Sequence, residues 1–333
     1  MSSMSSMSCA SSRSFRARRP RFVTAACLLA LSLTAACSDG GSANGSDASR
    51  PPGGTTKKSD APPSILTGTV NIAVKKGQPG FSTRSEEEDD FAGFEAQLVE
   101  FLSSKLDFKA ADWDVQSRDR ENVLSDKSMD MVVATYSITD QRDKAVDFTA
   151  PYFKTYQGVL VRKDYTGIAR LADVDGKRVC SVRGSTGDPD SEQDLKAKKA
   201  VRAALGQEVV AELRNSYKTC VKELINGNFE AVWTDKIILE GFAQDPRYAD
   251  KVEVARNITV KNRQFYGIGL REGQTEDCHR LNAVLEDFLQ TNWSLAFQTY
   301  FPKVTARASA FEQDYKPTDV EFRKLRKTSC GGE

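Results

Sequence analysis

The chain has 333 residues, 39% hydrophobic and 28% charged, which is enough for two ordinary globular domains and excludes a wholly disordered or fibrous protein. Lys and Arg number 47 against 46 Asp and Glu; Arg13, Arg16, Arg18, Arg19 and Arg21 are the only charged residues before Cys37, and without them the balance is 42 against 46. No basic patch remains, so nucleic acid is set aside as a partner.

The arginine-rich start leads into an apolar run, Phe22 to Leu33, and then Thr34-Ala-Ala-Cys37. That is the three-part pattern of an export signal, with an apolar run too short to span a bilayer. Small residues ahead of a cysteine resemble a bacterial lipobox, in which Cys37 becomes the lipidated first residue of the mature protein. Thr34 departs from that pattern, since leucine is commonest there. The same Thr-Ala-Ala-Cys at 24–27 has almost no apolar run before it, and Arg18-Arg19 lacks the flanking consensus of a twin-arginine signal. Cleavage by ordinary signal peptidase with free release is the alternative. Residues 38–64 are Gly, Ser, Asp, Pro and Lys with scarcely a large apolar side chain, and so form a tether that cannot order itself. The expected limits are 1–36 for the signal peptide and 37–64 for the tether, with the protein held on the extracellular face of the cell membrane.

Thr69–Val74 reads as a strand, and Phe91–Leu102 as an amphipathic helix whose Phe94, Leu98, Phe101 and Leu102 keep core spacing. Between them, Gly77 to Asp90 is a loop whose acidic run, Glu86 to Asp90, is expected as a solvated lip. A strand at Trp113–Val115, a short helix over Asp119–Ser125 and a strand at Met129–Ala134 follow. This alternation predicts an α/β domain with a mostly parallel sheet. After a strand at Tyr156–Arg162 a second such unit begins. Its elements are a short helix from Leu171, a strand ending at Val182, a charged helix over Ser191–Leu205, a strand at Val209–Leu213, a helix over Tyr217–Asn226 and a strand from Ala231 ending at Thr234-Asp235. A helix over Ile237–Phe242 and strands at Lys251–Val254 and Gln264–Leu270 come next. Helices over Thr275–Leu289 and Ser294–Phe301 then resume the first unit. Two lobes joined by two crossings leave a cleft at the strand C-terminal ends, where such sheets bind ligands. The expected limits are 65–157 with 262–333 for lobe 1 and 158–261 for lobe 2. The tail from Ala306 to Glu333 either braces lobe 1 or serves docking.

Cys9 and Cys27 fall in the removable segment, which leaves Cys180, Cys220, Cys278 and Cys330 beside Cys37. An even number in an exported protein predicts two disulfides, with three possible connectivities. No Cys-x-x-Cys pair exists and the only histidine, His279, adjoins Cys278, so no metal is expected.

Met129–Ala134 runs into Thr135-Tyr-Ser-Ile-Thr-Asp-Gln-Arg142 and then Val146-Asp-Phe-Thr-Ala-Pro-Tyr-Phe153. Hydroxyls, turning backbone and one arginine at the end of an apolar strand are equipment for gripping a carboxylate, the guanidinium matching it bidentately. The plainer reading is a helix N-cap at Thr139 with a solvated arginine behind it. Gly184-Ser185-Thr186 lies between a strand and a helix, where N–H groups and hydroxyls hold anions. Asp235 closes a third strand and suits an ammonium group, or caps a helix. Together they describe a pocket for an α-amino acid.

On these motifs, residues 65–302 resemble the amino-acid solute-binding proteins of ABC importers. The resemblance implies a two-lobe periplasmic-binding-protein-like fold of type II with a two-segment hinge. It implies Thr135, Ser137 and Arg142 on the α-carboxylate, Ser185 and Thr186 closing on it from lobe 2, and Asp235 on the α-ammonium. Phe81, in Gln78-Pro-Gly-Phe81, stands where the family often packs an aromatic on the ligand. Val179-Cys-Ser-Val182, Gly184-Ser-Thr186 and Cys220 look most like the actinobacterial glutamate-binding lipoprotein branch, which implies Cys180 paired with Cys220 and Cys278 with Cys330; Arg183 departs from it. Lys75, Lys76, Arg84 and Arg183 are candidates for a distal carboxylate, which would favour glutamate or aspartate, or are ordinary surface charges. The expected function is capture by domain closure and delivery to an ABC permease, by a monomer with no cofactor and no catalysis. With one histidine beside a cysteine and no nucleophile–base pair, an enzyme on this scaffold is set aside. A receptor feeding a signalling partner is the alternative, since it would use the same cleft.

Overall fold

The computed structural model describes residues 62–84, 91–189, 195–206 and 208–332. The signal segment, Cys37, most of the tether, the acidic run Glu86 to Asp90 and the start of the charged helix from Ser191 lie outside the described residues.

One sheet has five strands in the order Lys109–Asp114, Thr69–Val74, Met131–Val132, Gly269–Leu270 and Asp147–Phe148. The first three are parallel, and Gly269–Leu270 runs against both its neighbours. Thr69–Val74 is interior, so Val70, Ile72, Ala73 and Val74 are all buried, which is why the run is almost wholly apolar. The helices Phe94–Leu106 and Thr275–Thr291 pack on this sheet, with the rings of Phe94 and Phe288 5.8 Å apart. The first of them ends where Asp107 turns left-handed at φ 56° and its N–H bonds Ser103 O.

The second sheet runs Val210–Arg214, Arg178–Val182, Ala231–Asp235, Phe153–Arg162 and Val252–Val254, with Val260–Tyr266 also pairing Phe153–Arg162. Its first three strands are parallel and the rest antiparallel, so both sheets are mixed. The antiparallel part exists because the chain crosses between lobes on Phe153–Arg162 and returns beside it on Val260–Tyr266, Tyr266 opposite Phe153 and Gln264 opposite Thr155. The strand expected over Gln264–Leu270 is therefore two strands, one in each sheet. Ser216 caps the helix Tyr217–Ile225 by accepting from Thr219 N–H at 3.2 Å, and a disulfide ties Cys220 on that helix to Cys180 on its neighbouring strand.

The tail packs against the first lobe. It forms helices Pro302–Arg307, Phe311–Tyr315 and Asp319–Arg326, with Phe311, Tyr315 and Phe322 buried. Phe311 and Tyr315 stack on Phe297 at 5.0 and 5.3 Å, and Cys330 is bonded to Cys278. Glu321 accepts from Lys154 Nζ at 3.0 Å with one oxygen and pairs with Arg263 through the other, so one carboxylate holds both crossing strands.

Candidate ligand-binding site

The strand Met131–Val132 gives way to a turn at Thr135, whose φ of +43° is unfavourable for a β-branched residue. Three contacts hold it there. Its N–H donates to Glu95 Oε1 at 2.6 Å, its hydroxyl accepts from Gln78 Nε2 at 3.0 Å, and its carbonyl accepts from Arg120 Nη1 at 3.2 Å. Across the cleft, Gly184 follows the strand Arg178–Val182 with φ +75°, and its carbonyl accepts from Arg142 Nη2 at 2.9 Å and Arg120 Nη2 at 3.1 Å. Two arginines of the first lobe thus converge on one carbonyl oxygen of the second.

Asp235 begins the helix Lys236–Gln244 but makes no side-chain cap. Its Oδ2 accepts from the Tyr266 hydroxyl at 2.6 Å, and its buried Oδ1 accepts no hydrogen bond among the described residues. Burial pushes its pKa up to about 6, while the Tyr266 hydroxyl, Arg142 and Arg120 favour the charged form.

Thr135, Ser137, Ser185, Thr186 and Asp235 line one narrow chamber, together with Arg120. Ser117 and Tyr217 belong to its wall and also to that of a neighbouring cavity of about 320 Å³, which carries Lys75, Lys76 and Arg84. Lys75 Nζ donates to Ser117 Oγ at 2.8 Å, at the seam of the two. Burial, then the charge of Arg120, hold the Lys75 pKa well below its ordinary value, against Asp114 and Glu95.

Arg142 and Phe81 stand apart from this lining. Arg142 donates to Ser137 O and to Gly184 O, both at 2.9 Å, and pairs with Glu121 at 3.2 Å. Phe81 is fully buried in the core, edge-on to Phe153 and Phe301 at 5.2 Å, because the Gln78-Pro-Gly turn directs it inward; it meets the site only behind Tyr266, 5.9 Å away. The expected packing of Phe81 on a ligand is thus replaced by packing beneath the site.

Arg120, Ser117, Tyr217, Tyr266 and Glu95 escaped the sequence reading. Arg120 sits in Arg118-Asp-Arg120 at the head of a short helix, with the signature of a surface residue, yet it is 2% exposed. All its hydrogen bonds go to carbonyls, of Ser117, Ala134, Thr135 and Gly184, and its guanidinium lies 4.5 Å over the Tyr136 ring. A buried guanidinium hydrogen-bonded only to neutral oxygens is receptive to an anion, although the charge of Glu121 already favours its ionised form.

The sequence pattern of the bacterial extracellular solute-binding proteins, family 3, matches residues 70–303. The glutamate-binding protein GluB of Corynebacterium efficiens is 30% identical over 267 residues, covering 78% of this chain and 86% of that one. The glutamine-binding protein GlnH of an ABC transporter in Bacillus subtilis is 28% identical over 270 residues, 78% of this chain and 88% of that one. Among solved structures, an ancestral arginine-binding protein bound to arginine superposes with a TM-score of 0.61 at 25% identity, over 71% of this chain and 99% of that one. The two-lobe fold, the strand-end chamber and these matches agree, and the chain belongs to the bacterial extracellular solute-binding proteins of family 3.

Proposed function

We propose that this chain captures an acidic amino acid, glutamate before aspartate, in the cleft between its lobes and delivers it to an ABC permease. The observation that supports the reading is the placing of Asp235 and Arg120 on the chamber wall with Lys75 at the seam to the neighbouring cavity, the hydrogen bonds of both basic groups among the described residues going to neutral oxygens. An α-ammonium pairs with Asp235 Oδ1. The α-carboxylate takes the hydroxyls of Thr135, Ser137, Ser185 and Thr186 and the Arg142 fork, displacing Gly184 O from it. A distal carboxylate reaches Lys75 and Arg120 at the seam, with Arg84 further out. Similarity to a glutamate-binding protein of Corynebacterium supports this choice.

The chamber itself offers only about 10 Å³, so entry requires the lobes to part, and the ligand then replaces carbonyl contacts as they close. Differential affinity for the closed arrangement shifts the population. We take 65–157 and 262–333 as the lobe that stays with the tail, 158–261 as the closing lobe, and Cys37 as the lipid anchor of a monomer on the extracellular face.

A thermal-shift screen against the twenty amino acids tests the reading, since a ligand bound only by the native state adds about 4 kcal/mol at a thousandfold excess over Kd. A large shift with glutamate or aspartate alone is expected. A shift confined to neutral or basic amino acids overturns acidic specificity, and no shift at all overturns amino-acid capture.

A further inference from the structure

Glu95 lies in the first turn of the helix Phe94–Leu106 and is completely buried. Its Oε1 accepts from Thr135 N–H at 2.6 Å and from the Tyr152 hydroxyl at 2.5 Å. Its Oε2, equally enclosed, accepts no hydrogen bond among the described residues. The bond to Thr135 has a clear purpose, because that residue holds an unfavourable left-handed backbone beside the chamber and the Glu95 carboxylate fixes its N–H there.

Charged or titratable groups from four segments act on Glu95. Lys75 follows the strand Thr69–Val74, and Arg120 heads the helix Arg120–Ser125. Tyr152 precedes one crossing strand, and Tyr266 ends the other with its hydroxyl on Asp235. Burial pushes the Glu95 carboxyl up to about 7, although Tyr152, Thr135, Lys75 and Arg120 all favour its charged form.

We propose that Glu95 is a positioning residue for the ligand grip, acting through the backbone of Thr135, and that capture of an acidic amino acid protonates it. The inference rests on the acidic-ligand reading above. A second negative charge arriving beside Lys75 and Arg120 disfavours the ionised form of a neighbouring acid. One proton, given up by the acid form of the buffer as its own bond to hydrogen breaks, then forms an O–H bond at Oε2, the oxygen without a partner. Oε1 goes on accepting from Thr135 and Tyr152, so the turn keeps its shape while the charge is removed. Glutamate affinity therefore rises as pH falls through neutrality, by about tenfold for each unit by which the ligand raises the Glu95 pKa. Glutamine, neutral at its side chain, shows much less of this dependence.

The test is calorimetric titration of the purified protein with L-glutamate near neutral pH, in phosphate and in Tris buffers, whose ionisation heats differ. Net proton uptake is expected with glutamate, less with glutamine, and its loss in Glu95→Gln, which keeps an acceptor for Thr135 N–H. Glu95→Ala, which frees the turn, weakens both ligands by about tenfold or more; should that variant fail to fold, Glu95→Gln alone decides. Glutamate binding without proton uptake overturns this inference and leaves the acidic-ligand reading standing. Undiminished uptake in Glu95→Gln places the proton elsewhere, on Lys75, and also overturns it. No heat with glutamate, but heat with another amino acid, overturns the acidic-ligand reading and this inference with it.

Discussion

The Tyr266 hydroxyl donates to Asp235 Oδ2 at 2.6 Å and so ties the return strand of the hinge to the strand end that faces the chamber. The bond favours the ionised carboxylate. Tyr266→Phe raises the Asp235 pKa above about 6 and destabilises the protein by about 1–2 kcal/mol, more at alkaline than at acid pH. Urea unfolding across that range checks it; an equal loss at all pH values contradicts the assignment.

Glu95 and Asp235 have folded-state pKa values of about 7 and about 6, above the ordinary 4.5 and 3.8. The folded state therefore holds these protons more tightly than the unfolded chain does, and their contribution to stability grows as pH falls from above 7 toward 5. Each unit of difference corresponds to about 1.4 kcal/mol. Thermal unfolding at a series of pH values should show a rising midpoint on acidification, flattened in Glu95→Gln and in Asp235→Asn.

A β-carbon on Gly184 would lie 2.5 Å from Arg118 Cα, and the residue holds φ +75°. Gly184→Ala thus pushes the lobes apart where the two arginines converge. Weaker ligand binding with a folded protein is expected, and small-angle scattering should show a smaller ligand-linked compaction than in the wild type.

Arg120→Met replaces a buried cation, bonded only to carbonyls, by an apolar chain of similar length. Truncating one member of a buried charge pair costs about 2–5 kcal/mol of binding, so glutamate affinity falls steeply and glutamine affinity less. Unliganded stability stays level or rises, since a desolvated guanidinium with no hydrogen-bonded carboxylate is removed. Paired calorimetric and unfolding measurements check both signs.

Cys278 and Cys330 are bonded across 52 residues and anchor the tail beneath the first lobe. Replacing both by serine lowers unfolding stability by about 2–4 kcal/mol in denaturant titration. An unchanged midpoint would show that packing of Phe311, Tyr315 and Phe322 holds the tail unaided.

Much of the architecture was legible because hydrophobic spacing reports local structure. Thr69–Val74, Tyr217–Ile225 and Thr275–Thr291 lie within a few residues of where periodicity puts them. The change of sheet between Tyr266 and Gly269 was not legible, since an apolar run looks alike in either sheet. In the site, Thr135, Ser137, Ser185, Thr186 and Asp235 carry visible strand-end signatures, and the fold brings them to one chamber. Arg120 and Glu95 carry none. A charge in the first turn of a helix usually faces water, and only the meeting of several segments buries these two. Phe81 shows the converse, an aromatic in a promising loop that the core claims.

Glu321 on the last helix grips Lys154 and Arg263, one from each crossing strand, just before the register slips between Arg263 and Val260. The tail is thereby a splint, making this end of the strand pair rigid with the body that bears it. In the closure proposed above, the fulcrum would then lie at the irregular pairing beyond, where Gln157 faces Val260. A splint that shortens the bending segment would confine the rotation to those few residues and bring the pivot nearer the second lobe, so that Gly184 would swing as part of one rigid body on a short arm.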